Sequence, residues 1–259
     1  MDVPDGLTPL RLDGQACGWL ADEWRERVLQ PPSPFVALDG AVTLAPDLAR
    51  LEARSDALAD WAGRARRRWP LLGWREERCL VHAADRPAFL IERALLRPLG
   101  LLLRSVQATA LRSGPDGPQL WVAHRSHDKP VEPGRLDALV GGGIAGYDDA
   151  WPTLLRECAE EAGIPEALAR QARPAGDLEL CYLTHCDGLP VLHRERVALF
   201  ELELPPAFEP RCADGEHQAI LPMSPAEVLE SIEAGRWTRE GAQAALDLIA
   251  RRGWLAPPA

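Results

Sequence analysis

The chain has 259 residues, 46% hydrophobic and 26% charged, enough apolar material for one large domain or two modest ones. A net charge of −10 leaves no basic face for nonspecific nucleic-acid binding. No uncharged apolar stretch approaches the roughly 18 residues a membrane span needs, so neither nucleic acid nor membrane is an expected partner. The opening MDVPDGLTPLRLDG lacks the basic start and apolar run of an export signal. The six cysteines show no CxxC or zinc spacing, which predicts reduced thiols in a cytoplasmic protein.

Taken in chain order, QPPSP at 30–34 reads as a loop before FVALDGAVTL, a hairpin turning at Asp39-Gly40. Asp47 to Trp69 carries a helical pattern, with Arg66, Arg67 and Arg68 near its end, where the helix dipole favours cations. RPAFLIERALLRPLG at 86–100 reads as a second short helix stopped by Pro98 and Gly100. The texture then changes. SVQATAL and QLWVAHR form a strand pair separated by RSGPDGP, and LELCYLTHC and RERVALFELEL form another around Asp187-Gly188. Ser224-Pro225-Ala226-Glu227 is a capping box starting a helix through Ile232, and a last helix is expected from about Thr238 to Arg252. Strands, helix, strands and helices in that order predict an α/β fold with mixed pairing. The expected division is a smaller α+β domain over 1–100 and a second domain over 101–259.

The segment GGGIAGYDDAWPTLLRECAEEAGI, 141–164, raises a physical question. Asp148 or Asp149 can cap a helix there, Pro152 suits its first turn, and Gly163 can stop it. Trp151, Leu154, Leu155, Cys158 and Ala162 make an apolar stripe, while at about 100° per residue Glu157, Glu160 and Glu161 share another flank. Like charges at this spacing repel, so a lone E-x-x-E-E reads either as a solvated face or as an oxygen cage for a hard divalent cation.

The wider pattern separates those readings. Gly142, five residues, Asp148, seven residues, Arg156-Glu157-Cys158, one residue, Glu160-Glu161, one residue and Gly163-Ile164 together resemble the Nudix box. One fixed position departs from the family pattern: Asp148 stands where glutamate is usual, which puts any contact of that residue in doubt. The resemblance implies a Nudix α/β/α sandwich with a mixed sheet, and diphosphate hydrolysis with Mg²⁺ or Mn²⁺. It also implies Glu157, Glu160 and Glu161 as ligands and catalytic carboxylates, joined by the Gly142 carbonyl. Arg156, four residues before Glu160, is expected to orient carboxylates.

The flanks narrow the resemblance. Arg125, Ser126, Lys129, Pro133, Gly134, Leu136 and Asp137 match a series found in Nudix proteins related to thiamine pyrophosphokinase. PAFLIERA and the DGE at 214–216 also resemble that group, whose members convert thiamine diphosphate, preferentially its oxidised oxy and oxo forms, to the monophosphate. The implied role is metabolite repair. Arg125, Ser126 and Lys129 are then expected diphosphate contacts, with Arg125 pairing to Asp137 or Asp128 as the plain alternative. Glu216, after an Asp214-Gly215 turn, is either a further metal ligand or a solvated loop residue. Glu195, alternating along a strand, is a weaker candidate expected to face water, and His124 and His127 lack a third partner at ligand spacing. The partner is a small-molecule diphosphate, and homodimerisation stays open. Rival readings are a hydrolase of nucleoside-linked diphosphates such as ADP-ribose or NADH, a non-catalytic Nudix sensor, and a prenyl diphosphate isomerase needing a reactive cysteine.

Overall fold

A computed structural model describes residues 5–114, 117–129, 131–213 and 215–254. The expected turns at RSGPDGP and Asp214-Gly215 fall partly outside these residues. The chain forms two compact units, and each is taken by itself. The first comprises residues 1–104, 144–148 and 179–196; the second comprises 105–143, 149–178 and 197–259. The unit border therefore does not follow a single cut near residue 100.

The first unit opens with a hairpin that the sequence reading missed, β1 (Thr8–Leu12) and β2 (Gln15–Leu20), turning at Asp13 and Gly14 with positive φ. Helix α1 (Asp22–Val28) follows. Next come β3 (Phe35–Leu38) and β4 (Ala41–Leu44), whose turn is the expected Asp39-Gly40, both residues left-handed as a tight hairpin requires. The sheet order is β2-β1-β4-β3, with β1 and β4 parallel, so this sheet is mixed. Helix α2 (Leu51–Arg68) starts four residues later than the pattern suggested and buries Leu58, Trp61, Ala62 and Ala65.

The predicted helix at 86–100 is corrected. Arg86–Glu92 is strand β6, antiparallel to β5 (Arg78–Ala83), and only Arg93–Leu95 makes a single 3-10 turn. Ala84 and Asp85 both take positive φ, closing a hairpin, and Phe89 and Ile91 are buried opposite Val81 and Cys79. Cross-strand packing of an aromatic and a β-branched residue outweighs the helical spacing.

In the second unit, β7 (Leu102–Gly114) and β8 (Gly117–Arg125) pair antiparallel as expected. Short β9 (Leu136–Ala138) joins β8, and β10 (Val140–Gly143) joins β7. Helices α3 (Ala150–Ala162) and α4 (Glu166–Ala169) precede the long strands β11 (Arg173–Cys186) and β12 (Leu189–Glu203), whose turn is Asp187-Gly188 and whose residues 179–196 belong to the first unit. Strand β13 (His217–Met223) pairs with β8 and completes the order β11-β12-β7-β8-β13. No described strand before β7 enters this sheet. Helix α5 (Pro225–Glu233) begins with the predicted capping box, and α6 (Arg239–Arg251) is capped by the Thr238 hydroxyl. Val228, Ala245, Leu248 and Ile249 bury the faces of these two helices with Leu111, Leu120 and Val122 from the sheet.

Candidate active site

Helix α3 supplies the acidic group. Asp149 is its N-cap residue, but its side chain makes no cap bond, so it does not perform the expected capping. Gly163 ends the helix in the left-handed conformation with φ 61°, and the Ile164 amide closes back onto the Cys158 carbonyl at 2.9 Å. The last-turn carbonyls of Glu161 and Ala162 accept from the amides of Ala213 and Arg211.

The three glutamates occupy different environments. Glu160 is exposed, and Arg156 Nη1 donates to its Oε2 at 2.9 Å. Arg156 Nη2 lies 2.8 Å from Glu157 Oε1, so one guanidinium bridges two box carboxylates, as the spacing predicts. Partial burial alone would lower Arg156, but the two carboxylates outweigh it and raise its pKa, keeping the charge fixed. Glu161 departs from the solvated-face alternative. It is buried, and its Oε2 accepts the Gly141 amide at 2.8 Å, anchoring helix α3 to β10.

Gly142 explains itself sterically. A Cβ placed there would lie 2.6 Å from Glu157 Cγ and closer still to its carboxylate. Only a residue without a side chain lets Glu157 cross β10. Cys158 is fully buried, and burial, reinforced by the Glu161 and Glu157 carboxylates, pushes its thiol up to about 12. Such a thiol is inert near neutral pH, so Cys158 cannot be the reactive cysteine an isomerase reading would need.

The loop after β8 forms a second assembly. Arg125 spends its guanidinium on Asp137 Oδ2 at 3.1 Å and on the Val131 and Glu132 carbonyls at 2.9 and 3.2 Å. Of its two weighed partners, Asp137 is the one engaged. The Ser126 carbonyl accepts from the Lys129 and Gly134 amides, and the Ser126 amide donates to the Glu216 carbonyl at 2.9 Å. Lys129 Nζ bonds Glu216 Oε2, so Glu216 is neither a solvated loop residue nor separate from the expected diphosphate contact. His124 Nε2 lies 3.1 Å from the Gly134 carbonyl, and the His127 ring packs where a Gly134 side chain would stand. Neither histidine joins a metal-ligand group among the described residues.

Asp137 is the centre of this assembly, and the sequence reading assigned it no role beyond pairing. Its Oδ1 accepts from Gln107 Nε2 at 3.0 Å, Thr238 Oγ1 at 2.9 Å and the Ala138 amide at 2.9 Å. Burial pushes its carboxyl pKa up, opposed by Arg125 and by the Thr238 hydroxyl. Gly241 is glycine for a matching reason: a Cβ would meet the Asp137 Cα at 3.0 Å. Gln107 sits in β7 directly opposite Gly141, so the loop network reaches the box strand through one amide side chain.

Glu195, expected to face water, is instead buried in the first unit. His193 Nε2 lies 2.9 Å from its Oε2, and Tyr182 packs on the His193 ring. Alternation had correctly placed it on one strand face but could not say which face was covered.

A family model described as NUDIX domain matches residues 103–242, more than half of the chain. The chain belongs to the Nudix family. A second model, a domain of unknown function designated DUF4743, matches residues 4–102. Two curated Arabidopsis thaliana relatives are named Nudix hydrolase 20, chloroplastic, and Nudix hydrolase 24, chloroplastic. The first is 29% identical over 85% of this chain and 59% of its own length; the second is 29% identical over 86% and 61%. A Saccharomyces cerevisiae relative described as uncharacterised is 24% identical over 71% of this chain and 57% of its own length. The chain thus spans about six-tenths of the curated relatives it matches. Among solved structures, the Deinococcus radiodurans protein DR0079 superposes with a TM-score of 0.51 at 24% identity, covering 68% of this chain and 98% of its own. That likeness agrees with a Nudix fold.

Proposed function

We propose that the protein is a divalent-metal-dependent diphosphate hydrolase whose metal ligands are Glu157, Glu160 and Glu161, with the Gly142 carbonyl. The observation that carries this reading is the crossing of Glu157 over Gly142. The three glutamates fall within one turn of α3, and the strand beside Glu157 is stripped of the side chain that would fill the cradle. Oxygen-only donors of this kind suit Mg²⁺ or Mn²⁺. Bound there, such ions would neutralise a diphosphate and acidify a water. Arg156 holds Glu157 and Glu160 apart from free rotation, and the Gly141 amide holds Glu161. One of these glutamates, or Glu216, takes the proton of the attacking water.

Lys129 and Glu216 have linked roles in this proposal, because each is the other's partner. Turning Glu216 toward the metals frees the Lys129 ammonium for the diphosphate. Arg125 acts at one remove, since its donors hold Asp137 and the loop carbonyls, and Ser126 shapes the same loop.

For the substrate we propose thiamine diphosphate and its oxidised derivatives, cleaved to monophosphate and phosphate as metabolite repair. The support is the series Arg125, Ser126, Lys129, Gly134 and Asp137, which builds one braced loop rather than scattered surface positions. The second reading is a hydrolase of nucleoside-linked diphosphates, which the box alone would equally serve. Six free thiols support a reducing compartment such as the cytoplasm. The test is a panel of oxidised thiamine diphosphates, ADP-ribose, NADH and nucleoside triphosphates with Mg²⁺, ranked by kcat/KM. Oxidised thiamine diphosphates are expected to lead. A tenfold lead by ADP-ribose, about 1.4 kcal/mol of transition-state preference, overturns the substrate and leaves the hydrolase.

A further inference from the structure

We propose that the first unit carries its own binding site, for a small single-ring phosphomonoester, at the C-terminal end of helix α2. A cavity of about 220 Å³ there is lined by Pro32, Trp61, Arg64, Arg67, Arg68 and Trp69. Arg64, Arg67 and Arg68 stand at i, i+3 and i+4, the spacing that brings side chains together on one helix face. Like charges so placed repel, and none of the three side chains makes a hydrogen bond or ion pair with a described residue. The Nε of Arg64 is buried with no acceptor among the described residues. Buried donors of folded proteins are almost always satisfied, so this one is available to an acceptor on a bound group.

Cations at a helix C-terminus stabilise the dipole, which accounts for basic residues in the last turn. It does not account for which of them lack partners. Arg66, in the same turn, has Glu76 at 3.6 Å and lies over the Trp74 ring. Among the described residues, the side chains of Arg64, Arg67 and Arg68 make no ion pair, in a chain whose net charge is −10.

The chemistry of the lining selects the ligand. Guanidinium groups match phosphate oxygens in a planar fork, and a phosphomonoester offers three such oxygens and about −1.5 to −2 charges, enough to engage several arginines. Trp61, Trp69 and Pro32 supply apolar walls for a flat body. The volume falls below the roughly 300–1,000 Å³ of drug-sized sites and suits one ring.

The experiment is calorimetric titration of the full chain with phenyl phosphate in EDTA, so that no divalent ion can gather phosphate at the box. Saturable binding at one site is expected, at least tenfold tighter than inorganic phosphate. The Arg64→Gln/Arg68→Gln variant should weaken it tenfold or more, and Arg66→Gln should leave it unchanged. If the double variant does not fold, the exposed Arg67→Glu replaces it, with the same loss expected. Absence of saturable binding overturns the proposal, as does equal affinity in the variants. Equal affinity for inorganic phosphate removes the ring from the ligand class. A phosphotyrosine peptide binding tenfold more tightly than phenyl phosphate would replace the small molecule with a protein partner.

Discussion

Helices α2 and α3 carry the same arrangement in opposite charge. Arg64, Arg67 and Arg68 on one, and Glu157, Glu160 and Glu161 on the other, stand at i, i+3 and i+4. The difference lies in what surrounds them. The acidic triad is held from within, by Arg156 across two carboxylates and by the Gly141 amide on the third. The side chains of the basic triad have no such partners among the described residues and border a cavity. Like-charge crowding is thus not one signal. Where the protein spends its own donors to aim each group, the cluster is preorganised for chemistry. Where it leaves the groups unpaired, the counter-charge is left to a ligand.

The comparison is broken most sharply at α3. Glu160→Gln and Glu161→Gln should each lower kcat by roughly a thousandfold, the scale of several kcal/mol of lost metal-assisted stabilisation. Their consequences for folding should differ. Glu160 is exposed, so its variant should melt like the parent, whereas Glu161→Gln should also lower the melting temperature because its buried oxygen holds β10. Equal melting of both variants would contradict the division between aimed and buried carboxylates.

Asp137→Ala comes next. It strands Arg125 and removes the acceptor of Gln107 and Thr238, so a loss of about 3–5 kcal/mol in chemical denaturation is expected, as for breaking a buried ion pair. An unchanged denaturation midpoint would show that the loop is held by something else. Gly142→Ala tests the cradle itself. The added methyl must displace Glu157, which should cost about 1–3 kcal/mol of stability and weaken Mn²⁺ binding measured by calorimetry. Removing a side-chain cap, Ser224→Ala, should cost about 1 kcal/mol without altering turnover, a control for effects on folding alone. The smallest effect belongs to α2: Arg67→Ala relieves repulsion and forfeits a dipole contact, so stability should move by less than about 0.5 kcal/mol.

Legibility in the sequence followed how local each cause was. The box was readable because a helix, its Gly163 stop and its glutamates obey short fixed spacings, and Asp39-Gly40 and Asp187-Gly188 were readable because their turns demand left-handed residues. Strand β6 was misread because Phe89 and Ile91 pair with Cys79 and Val81 across a hairpin closed by Ala84-Asp85, which carry none of the usual turn residues except the aspartate. The series from Arg125 to Asp137 was visible as residue types, but its wiring was not. Asp137 is met by Gln107 and Thr238 from 30 and 101 residues away in sequence, and no spacing rule reaches that far. Glu195 shows the same limit, since its burial against His193 depends on what covers the strand.

The central claim, that the α3 carboxylates drive diphosphate hydrolysis, is tested most directly by phosphorus NMR of oxythiamine diphosphate incubated with Mg²⁺ and either the parent protein or Glu160→Gln. The parent should release inorganic phosphate and the monophosphate, with no turnover after EDTA, and the folded variant should be slower by at least a hundredfold. A folded Glu160→Gln protein that hydrolyses this or any other cleaved diphosphate at the parent rate would contradict the account.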